Sequence, residues 1–395
     1  MIVRTYCARM DHGGCGLLVH VENGRIIKIE GDPGSPLSKG YLCAKGLAQL
    51  ERINHPERLK YPMRRAGKRG EGKWERISWE EALETIAGKI KETIARDGRE
   101  AVSFAQGTPK GLELFLMLRL ANLLNVPNVS TPGNICHVPR ETAANLTFGF
   151  FPIPDYDHPP ACIAVWGSNL FQSNEEGIIG IQLRQALDKG SKLIVIDPRK
   201  TVLASKADLW LQPRPGTDLA LALGMLRVIA DEDLYDEGFV DKWTQGFPEL
   251  KKHLHQYPVD KVSEITWIPK GRIIEAARLF SRTKPACIQW GNAIEHNLNS
   301  FQCARALSIL MAVTGNLEAP GGNVNRPLPA LMRPGELVQI KRFPDKSEKM
   351  LSPEFRMAAM MGFVPSQIIV KAILTGRPHP IRCMYIHGTN PVLAY

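Results

Sequence analysis

The sequence predicts an α/β protein with doubly wound parallel sheets, preceded by a small N-terminal region of different composition. Short runs that are apolar throughout alternate with amphipathic segments along most of the 395 residues. Such runs fit strands that are buried on both faces, which are typical of parallel sheets covered by helices. The chain is also too long for a single hydrophobic core, so we expect more than one domain.

The composition excludes several classes of protein. With 44% hydrophobic and 23% charged residues, the chain has the composition of a globular protein and not of a disordered one. No apolar run approaches the roughly 20 residues that span a bilayer. The N-terminal residues also lack the features of an export signal, so we expect a cytoplasmic protein without a membrane span. The net charge of +10 comes from scattered basic residues, which suits a solvated surface, an anionic cofactor or an acidic partner better than nucleic acid.

The elements follow in order from local patterns. Two β-type runs at residues 17–21 and 25–29 flank Asn23-Gly24, a dipeptide that favours a tight hairpin turn. Ser78 and Glu81 form a capping box that opens a helix. Further strands are predicted at residues 101–105, 161–166, 192–196, 286–290 and 382–386, and helices at 112–124, 178–187, 219–229 and 367–374.

These elements predict a division into three domains. The Cys- and Gly-rich residues 1–58 form a small domain by themselves. A stretch rich in proline and glycine at residues 320–365 predicts a crossing between domains, so we assign residues 59–130 and 331–395 to one α/β domain and 131–330 to a second. Both are expected to be Rossmann-like, with right-handed crossovers between their strands.

The N-terminal cysteines predict a metal cluster. Cys7, Asp11, Cys15 and Cys43 have the spacing C-x3-D-x3-C-x27-C, in which one loop and one distant turn can surround an iron–sulfur cubane. A structural zinc site is the alternative, although it would normally use two short ligand pairs. The remaining cysteines lie in apolar segments, and apart from Cys136 we expect them in the core: Cys162, Cys287, Cys303 and Cys383.

The stretch from Cys7 to Gly46, which includes Gly31-Asp32-Pro33, resembles the cluster-binding domain of the dimethyl sulfoxide reductase family of molybdenum and tungsten enzymes. The resemblance extends over essentially the whole chain. It implies a 4Fe–4S cluster held by Cys7, Asp11, Cys15 and Cys43, and Lys45 as a relay between cluster and pterin. The family has cysteine where this chain has Asp11, which leaves a 3Fe–4S cluster as an alternative.

A second motif lies at residues 131–140, with the sequence TPGNICHVPR. By itself Cys136 is typical of a buried structural cysteine, but it stands where this family places the ligand of its metal. A soft thiolate suits molybdenum or tungsten. The resemblance further implies that His137 is a general acid or base, as in formate dehydrogenases, and that Arg140 binds an anionic substrate or a pterin phosphate.

Several loops at predicted strand ends resemble the family's binding sites for a bis-(molybdopterin guanine dinucleotide) cofactor with molybdenum or tungsten. Loops of this kind can hold a pyrophosphate on backbone N–H groups and a guanine or ribose on a carboxylate. Asn292, Glu295 and His296 follow the strand at 286–290 and are expected to face the substrate funnel. The residues predicted to bind the cofactor are Gly167, Asn169, Asp197, Arg199, Gly216, Asp218, Gly291, Gly388 and Asn390.

The resemblance implies a two-electron oxidoreductase, possibly of the formate dehydrogenase kind, that passes electrons through its cluster. A non-redox hydratase like acetylene hydratase and a pterin-free structural electron-transfer subunit are the alternatives. Members of the family are about twice as long and carry a C-terminal β-barrel that this chain lacks. We therefore expect three kinds of partner: a small-molecule substrate, an iron–sulfur or other electron-transfer subunit, and a separate C-terminal half.

Overall fold

The computed structural model describes residues 1–7, 14–36, 38–107, 112–173, 177–326, 334–352 and 363–390. The chain divides into two compact units. Unit 1 comprises Met1–Asn134 and Ala330–Tyr395, and unit 2 comprises Ile135–Pro329. In the described part of the chain, no helix is long and apolar enough to cross a membrane.

The strands and helices are numbered in chain order. The strands are β1 Ile2–Tyr6, β2 Gly16–Glu22, β3 Arg25–Gly31, β4 Met63–Arg65, β5 Trp74–Arg76, β6 Val102–Gln106, β7 Asn128–Ser130, β8 Ile153–Pro154, β9 Cys162–Trp166, β10 Lys192–Ile196, β11 Leu209–Leu211, β12 Ala286–Trp290, β13 Asn323–Val324 and β14 Cys383–His387. The helices are α1 Ala44–Leu47, α2 Gln49–Asn54, α3 Trp79–Asp97, α4 Leu112–Leu123, α5 Val138–Phe148, α6 Leu170–Ser173, α7 Gly177–Asp188, α8 Asp218–Asp231, α9 Glu237–Trp243, α10 Phe247–Leu254, α11 Val259–Thr266, α12 Lys270–Arg282, α13 Ser300–Val313, α14 Pro334–Leu337, α15 Lys346–Lys349 and α16 Ser366–Thr375.

Unit 1 begins with an antiparallel sheet of order β1-β2-β3. The turn between β2 and β3 has positive φ at both central residues, 49° at Asn23 and 74° at Gly24. This backbone matches the twist of paired strands, which explains the preference for Asn-Gly. The predicted hairpin is therefore confirmed.

Unit 1 also contains a parallel sheet of order β14-β6-β7. All five residues of β6 are buried, as expected for a central strand. Helix α3 starts where the capping box predicted, because the Ser78 hydroxyl accepts the Glu81 N–H at 3.0 Å. The predicted strands at 101–105 and 382–386 are thus confirmed to within one residue at each end.

Part of the apolar surface of unit 1 is exposed. Trp79 and Leu83 continue the helical apolar spacing of α3, yet they are 65% and 62% exposed, whereas Ile90 is buried. Ile386 on β14, the edge strand beside β6, is also exposed. Exposed apolar side chains next to an open strand edge are typical of surfaces that bind another polypeptide.

Unit 2 is built on a parallel sheet of order β11-β10-β9-β12. The chain progresses outward from β9 through β10 to β11 and then returns to place β12 on the other side of β9. The reversal creates a switch point at the carboxyl ends of β9 and β12, where doubly wound sheets bind their ligands. The predicted parallel sheet is confirmed in this unit.

Three of the four cysteines expected in the core are fully buried. Cys162, Cys287 and Cys303 are at most 1% exposed. Burial raises the pKa of the Cys162 thiol to about 12 and also raises the pKa values of Cys287 and Cys303. Cys383, on the edge strand β14, is only partly buried, and it packs against the hydrophobic core of unit 1 from the side of that strand.

The loops that follow β9 and β12 pack directly on each other. The Gly291 N–H donates to the Trp166 carbonyl at 2.8 Å. A Cβ at Gly291 would lie 2.2 Å from the Gly167 carbonyl oxygen, so no side chain fits there. Gly167 itself has a φ of 60° and donates its N–H to the Ile196 carbonyl. Gly167 therefore determines the shape of the loop that follows β9.

Gly291→Ala tests this close packing. We expect the free energy of unfolding to fall by about 1–3 kcal/mol, the usual cost of overpacking. Gly291 has a φ of −120°, which alanine adopts freely, so the loss reports the steric contact alone. Denaturant unfolding followed by circular dichroism measures it.

Gly271→Ala in helix α12 is the matched control, since nothing lies within 4 Å of a Cβ there. This change should stabilise the protein by about 0.5–1 kcal/mol, because alanine is the better helix former. Equal effects at the two glycines would show that the switch-point loops are not tightly packed.

Candidate active site and cofactor centres

The residues Cys136 and His137 form a strained turn at the start of α5. His137 has a φ of 72° and a ψ of −47°, and the Val138 N–H donates to the Cys136 carbonyl at 2.9 Å. These values define the rare γ-turn with a positive central φ, which side chains other than glycine seldom adopt. Such strain costs about 1–3 kcal/mol and persists only where the surroundings enforce it.

The buried carboxylate of Glu295 enforces this turn. Its Oε2 accepts the His137 N–H at 2.8 Å and its Oε1 accepts the Arg140 N–H at 3.2 Å. These are the N–H groups of the N-cap and third residues of α5, which a local capping box would normally satisfy. Glu295 therefore caps this helix from a turn that is distant in sequence.

Arg140 lies inside the protein beside this carboxylate. Its side chain is 5% exposed and that of Glu295 is 0% exposed, with Nε 3.1 Å from Oε1 as an ion pair. The guanidinium also donates to the Trp290 carbonyl at 2.9 Å and to the Asn292 side-chain oxygen at 2.8 Å. The sequence predicted that the Arg140 guanidinium binds an anionic substrate or a phosphate, whereas in the structure it is buried and bonds to protein groups. Through these bonds it connects the Cys136 loop to the end of β12.

Asn292 completes the connection to the thiol. Its side-chain Nδ2 lies 3.5 Å from Cys136 Sγ, within reach of a hydrogen bond to sulfur. Asn292 and Glu295 are the first and last residues of the 3₁₀ turn that follows β12. The side chains of this turn thus hold both the thiol and the backbone of the Cys136 loop.

The imidazole of His137 occupies a half-exposed position among aromatic and acidic groups. Its ring packs edge-on against Phe151 at 4.7 Å, and Phe151 stacks on Trp290. His137 Nε2 lies 3.7 Å from the Glu141 carboxylate, whose pKa is raised because it is partly buried. An imidazole held next to a carboxylate in this way can exchange a proton with a group near Cys136.

The switch point of unit 2 fits the predicted dinucleotide. Asn169, after β9, has a side-chain oxygen that is buried without a hydrogen-bond partner in the described structure. At Gly216, before α8, nothing lies within 4 Å of the position that a Cβ would occupy. An unsatisfied buried acceptor next to open loops at a switch point is suited to the N–H and hydroxyl groups of a nucleotide. The residues present therefore fit the group that the sequence implies.

Two other predicted positions already have protein partners. The Asp197 carboxylate accepts the Arg199 N–H at 2.7 Å, which orders the loop after β10. The Asp218 carboxylate accepts the Trp166 indole N–H at 2.8 Å, and burial raises its pKa. The Arg199 side chain remains largely exposed at this end of the sheet.

Gly388 and Asn390 lie in unit 1, in the loop after β14. The Gly107 N–H, after the neighbouring strand β6, donates to the His387 carbonyl at 3.0 Å. The loops after two adjacent parallel strands therefore meet, as they do in unit 2. Cys136 and the loops after β9, β10 and β12 belong to unit 2.

The cysteines predicted to hold a cluster also belong to unit 1. Cys7 follows β1 and Cys15 precedes β2, and the Cys7 N–H donates to the Cys15 carbonyl at 2.9 Å. The Gly16 N–H donates to the Ser38 hydroxyl at 3.1 Å, and a Cβ at Gly16 would lie 2.7 Å from Ser35 Cβ. Gly16 thus lets the segment that leads to Cys43 pack beside Cys15.

Cys43 is buried and is the N-cap residue of α1, and Lys45 is half-buried on that helix. Asp11 lies outside the described residues. In the described ranges, no three His, Cys, Asp or Glu side chains are grouped as metal ligands. Cys7, Cys15 and Cys43 as ligands of a cluster therefore stay a prediction from the sequence.

Comparison with known proteins identifies the family. The family described as "Molybdopterin oxidoreductase" matches residues 58–394, and the "Molybdopterin oxidoreductase Fe4S4 domain" matches residues 1–55. The chain belongs to the molybdopterin oxidoreductase family. The cofactors of this family are molybdopterin and, in its N-terminal domain, a 4Fe–4S cluster.

Relatives in this family include enzymes with different reactions. Acetylene hydratase of Syntrophotalea acetylenica is 32% identical over 94% of this chain and 55% of the relative. Formate dehydrogenase H of Escherichia coli is 32% identical over 82% of this chain and 45% of the relative. The solved structure of acetylene hydratase from Pelobacter acetylenicus has a TM-score of 0.89 at 30% identity, covering 99% of this chain and 57% of that one. The chain spans about half the length of the curated relatives it matches.

The structure corrects what the sequence suggested for Glu295. Its carboxylate was expected to face the substrate funnel, but it is fully buried and holds the Cys136 loop. The local sequence, Gly291-Asn292-Ala293-Ile294-Glu295-His296, is mostly polar and gave no signal that this carboxylate is buried. Its partner could not be identified because 155 residues separate Arg140 from Glu295.

Glu295→Ala tests the role of this pair in stability. We expect the free energy of unfolding to fall by about 3–5 kcal/mol, because the change leaves the Arg140 guanidinium buried without its counter-ion. Denaturant unfolding of unit 2 provides the measurement.

Glu232→Ala is the matched control. Glu232 pairs with Arg278 at 2.7 and 2.8 Å, but there the guanidinium is exposed at the surface. Loss of such a pair costs about 1 kcal/mol or less. Similar losses in the two variants would contradict the cap assigned to Glu295.

Proposed function

We propose that this chain is the cofactor-binding part of a molybdenum- or tungsten-dependent oxidoreductase, with Cys136 as the protein ligand of the metal. The observation that carries the proposal is the turn at Cys136 and His137, which is strained and is held by the buried Glu295. Strain enforced by a buried charge is characteristic of functional sites. A thiolate is also the soft ligand that such metals prefer.

The group proposed is a bis-(molybdopterin guanine dinucleotide). When bound, it supplies a metal that exchanges two electrons with the substrate. Asn169, Asp197, Arg199, Gly216 and Asp218 would hold one dinucleotide at the switch point of unit 2. The side-chain oxygen of Asn169, which is buried and has no hydrogen-bond partner among the described residues, supports this assignment.

The remaining proposed cofactor residues lie in both units. Gly167 and Gly291 would shape the switch-point loops of unit 2, and Gly388 and Asn390 would contact the second pterin from unit 1. The protein residues themselves bind, orient and move protons. His137 would accept or donate the substrate proton, with the Glu141 carboxylate 3.7 Å away to stabilise the protonated imidazole.

The proposed route for electrons begins in unit 1. Cys7, Cys15 and Cys43, together with Asp11, would ligate a 4Fe–4S cluster, and a 3Fe–4S cluster is the alternative if Asp11 does not ligate iron. Lys45 would carry a positive charge between cluster and pterin. Its place on α1, two residues after Cys43, supports this role.

Two reactions remain as candidates. Formate-dehydrogenase-like oxidation is our first choice because Cys136 and His137 are adjacent, as in the enzymes the motif resembles. Hydration without net electron transfer is the second, favoured by the TM-score of 0.89 to an acetylene hydratase. The proposal of a pterin-free structural role is weaker, since it leaves the thiol network around Cys136 unexplained.

We also propose partners for the assembled enzyme. A further polypeptide with the family's C-terminal β-barrel would cover the exposed side chains of Trp79, Leu83 and Ile386 in unit 1. An electron-transfer subunit would receive electrons from the cluster. Neither proposal requires a nucleic acid or a membrane span.

Iron analysis tests the cluster. The anaerobically purified complex should contain about four irons per chain, or about three for the smaller cluster. Cys43→Ala should lose most of the iron, whereas Asp11→Cys should retain it better because thiolate binds iron more softly than carboxylate. Cys383→Ala, the control, removes a partly buried thiol elsewhere in unit 1 and should keep it. Zinc in place of iron would refute the assignment.

Electron counting separates the two reactions. With formate, the native complex should deliver two electrons per molecule to an artificial acceptor, releasing carbon dioxide and a proton. Cys136→Ala should abolish this transfer while the iron content stays unchanged, because the cluster ligands lie in unit 1. Hydration of acetylene without any reduction of the acceptor would instead establish the hydratase.

A further inference from the structure

We propose that Asn292 is a positioning residue that donates a hydrogen bond to the metal-ligating sulfur of Cys136 and thereby sets the reduction potential of the metal. The inference rests on the proposed function, in which Cys136 binds the metal. It concerns a residue outside the motif at residues 131–140, on the turn after β12.

Asn292 contacts the sulfur of Cys136 directly. Asn292 Nδ2 lies 3.5 Å from Cys136 Sγ, and 156 positions separate the two residues in the chain. The other atom of the same amide, Oδ1, accepts a hydrogen bond from Arg140 Nη2 at 2.8 Å. Both ends of the amide are therefore engaged.

Arg140 fixes which end of the amide faces the sulfur. A guanidinium has only hydrogen-bond donors, so the atom of Asn292 that faces it must be the oxygen. The amino group of Asn292 therefore points at the sulfur. In this orientation the sulfur of Cys136 is the acceptor of the hydrogen bond.

Arg140 is itself held from two further sides. The Trp290 carbonyl accepts from Nη1 at 2.9 Å, and the Glu295 carboxylate lies 3.1 Å from Nε. Because Glu295 also accepts the N–H groups of His137 and Arg140, the donor and the sulfur are fixed to the same frame. Asn292 therefore cannot rotate away without disturbing this buried network.

The hydrogen bond to the sulfur raises the reduction potential of the metal. A hydrogen bond to a ligand sulfur withdraws electron density from it, so the sulfur donates less to the metal. The oxidised metal is then less stabilised than the reduced metal, and the reduction potential is higher. Removing the donor should lower the potential.

The experiment is a redox titration of the native complex, followed through the electron paramagnetic resonance signal of pentavalent molybdenum or tungsten. At a fixed potential, Asn292→Ala should shift the ratio of oxidised to reduced metal about tenfold toward the oxidised form, as expected for one hydrogen bond to a charged group. Asn292→Asp, which keeps the shape but places an anion near the sulfur, should shift it further in the same direction. Unchanged potentials in both variants would overturn the proposal.

Asn297→Ala is the control, since that amide bonds to the Ile294 carbonyl and not to Cys136, and it should leave the potential unchanged. Cys136→Ser distinguishes a failure of the proposed function from a failure of the proposal about Asn292. If it leaves the signal of the metal unaltered, Cys136 is not a ligand and the proposed function fails. If it alters the signal while the Asn292 variants do not shift the potential, only the inference about Asn292 fails.

A measurement that needs no substitution at Asn292 covers the case in which the Asn292 variants do not bind the metal. In the native complex, resonance Raman spectra should show that exchange into D₂O shifts the stretching frequency of the metal–cysteine bond, because the amide N–H becomes N–D. The band is assigned by its loss in Cys136→Ser. Absence of the shift would overturn the proposal.

Discussion

The buried ion pair between Arg140 and Glu295 is the interaction on which the candidate active site depends. Burying two charges is costly, and hydrogen bonds from surrounding groups offset part of that cost. Here the Trp290 carbonyl and the Asn292 amide bond to the guanidinium, while two backbone N–H groups bond to the carboxylate. The pair therefore joins the start of α5 to the carboxyl end of β12 at a defined distance.

The position of Cys136 follows from this pair. A γ-turn with a positive central φ does not persist by itself. Glu295 holds the backbone on one side of the turn, and Asn292 contacts the sulfur on the other. The turn that carries Asn292 and Glu295 directly follows β12, a strand whose five residues are all buried, so the groups that hold the thiol rest on the end of a central sheet strand. Such support suits a ligand that must meet a metal with little rearrangement.

Local patterns in the sequence predicted the hairpin at Asn23-Gly24, the capping box at Ser78 and the buried strands, because each depends on residues close together in the chain. The placement of β12 beside β9 was not predictable in this way, since it depends on pairing across more than a hundred residues. The same limit explains the roles of Arg140 and Glu295. Arg140 was expected to bind a substrate or a phosphate, and Glu295 was expected to face the substrate funnel. In the structure the two residues pair with each other and hold the Cys136 loop.

The exposed part of α3 shows a different limit. Helical spacing identifies an apolar face but not what covers it, and the described part of unit 1 leaves Trp79 and Leu83 exposed. The central claim concerns Cys136, and X-ray absorption at the molybdenum or tungsten edge of the native complex tests it most directly. The account predicts one more sulfur ligand than the dithiolenes supply, replaced by a shorter oxygen ligand in Cys136→Ser. Identical spectra for the native protein and this variant would contradict it.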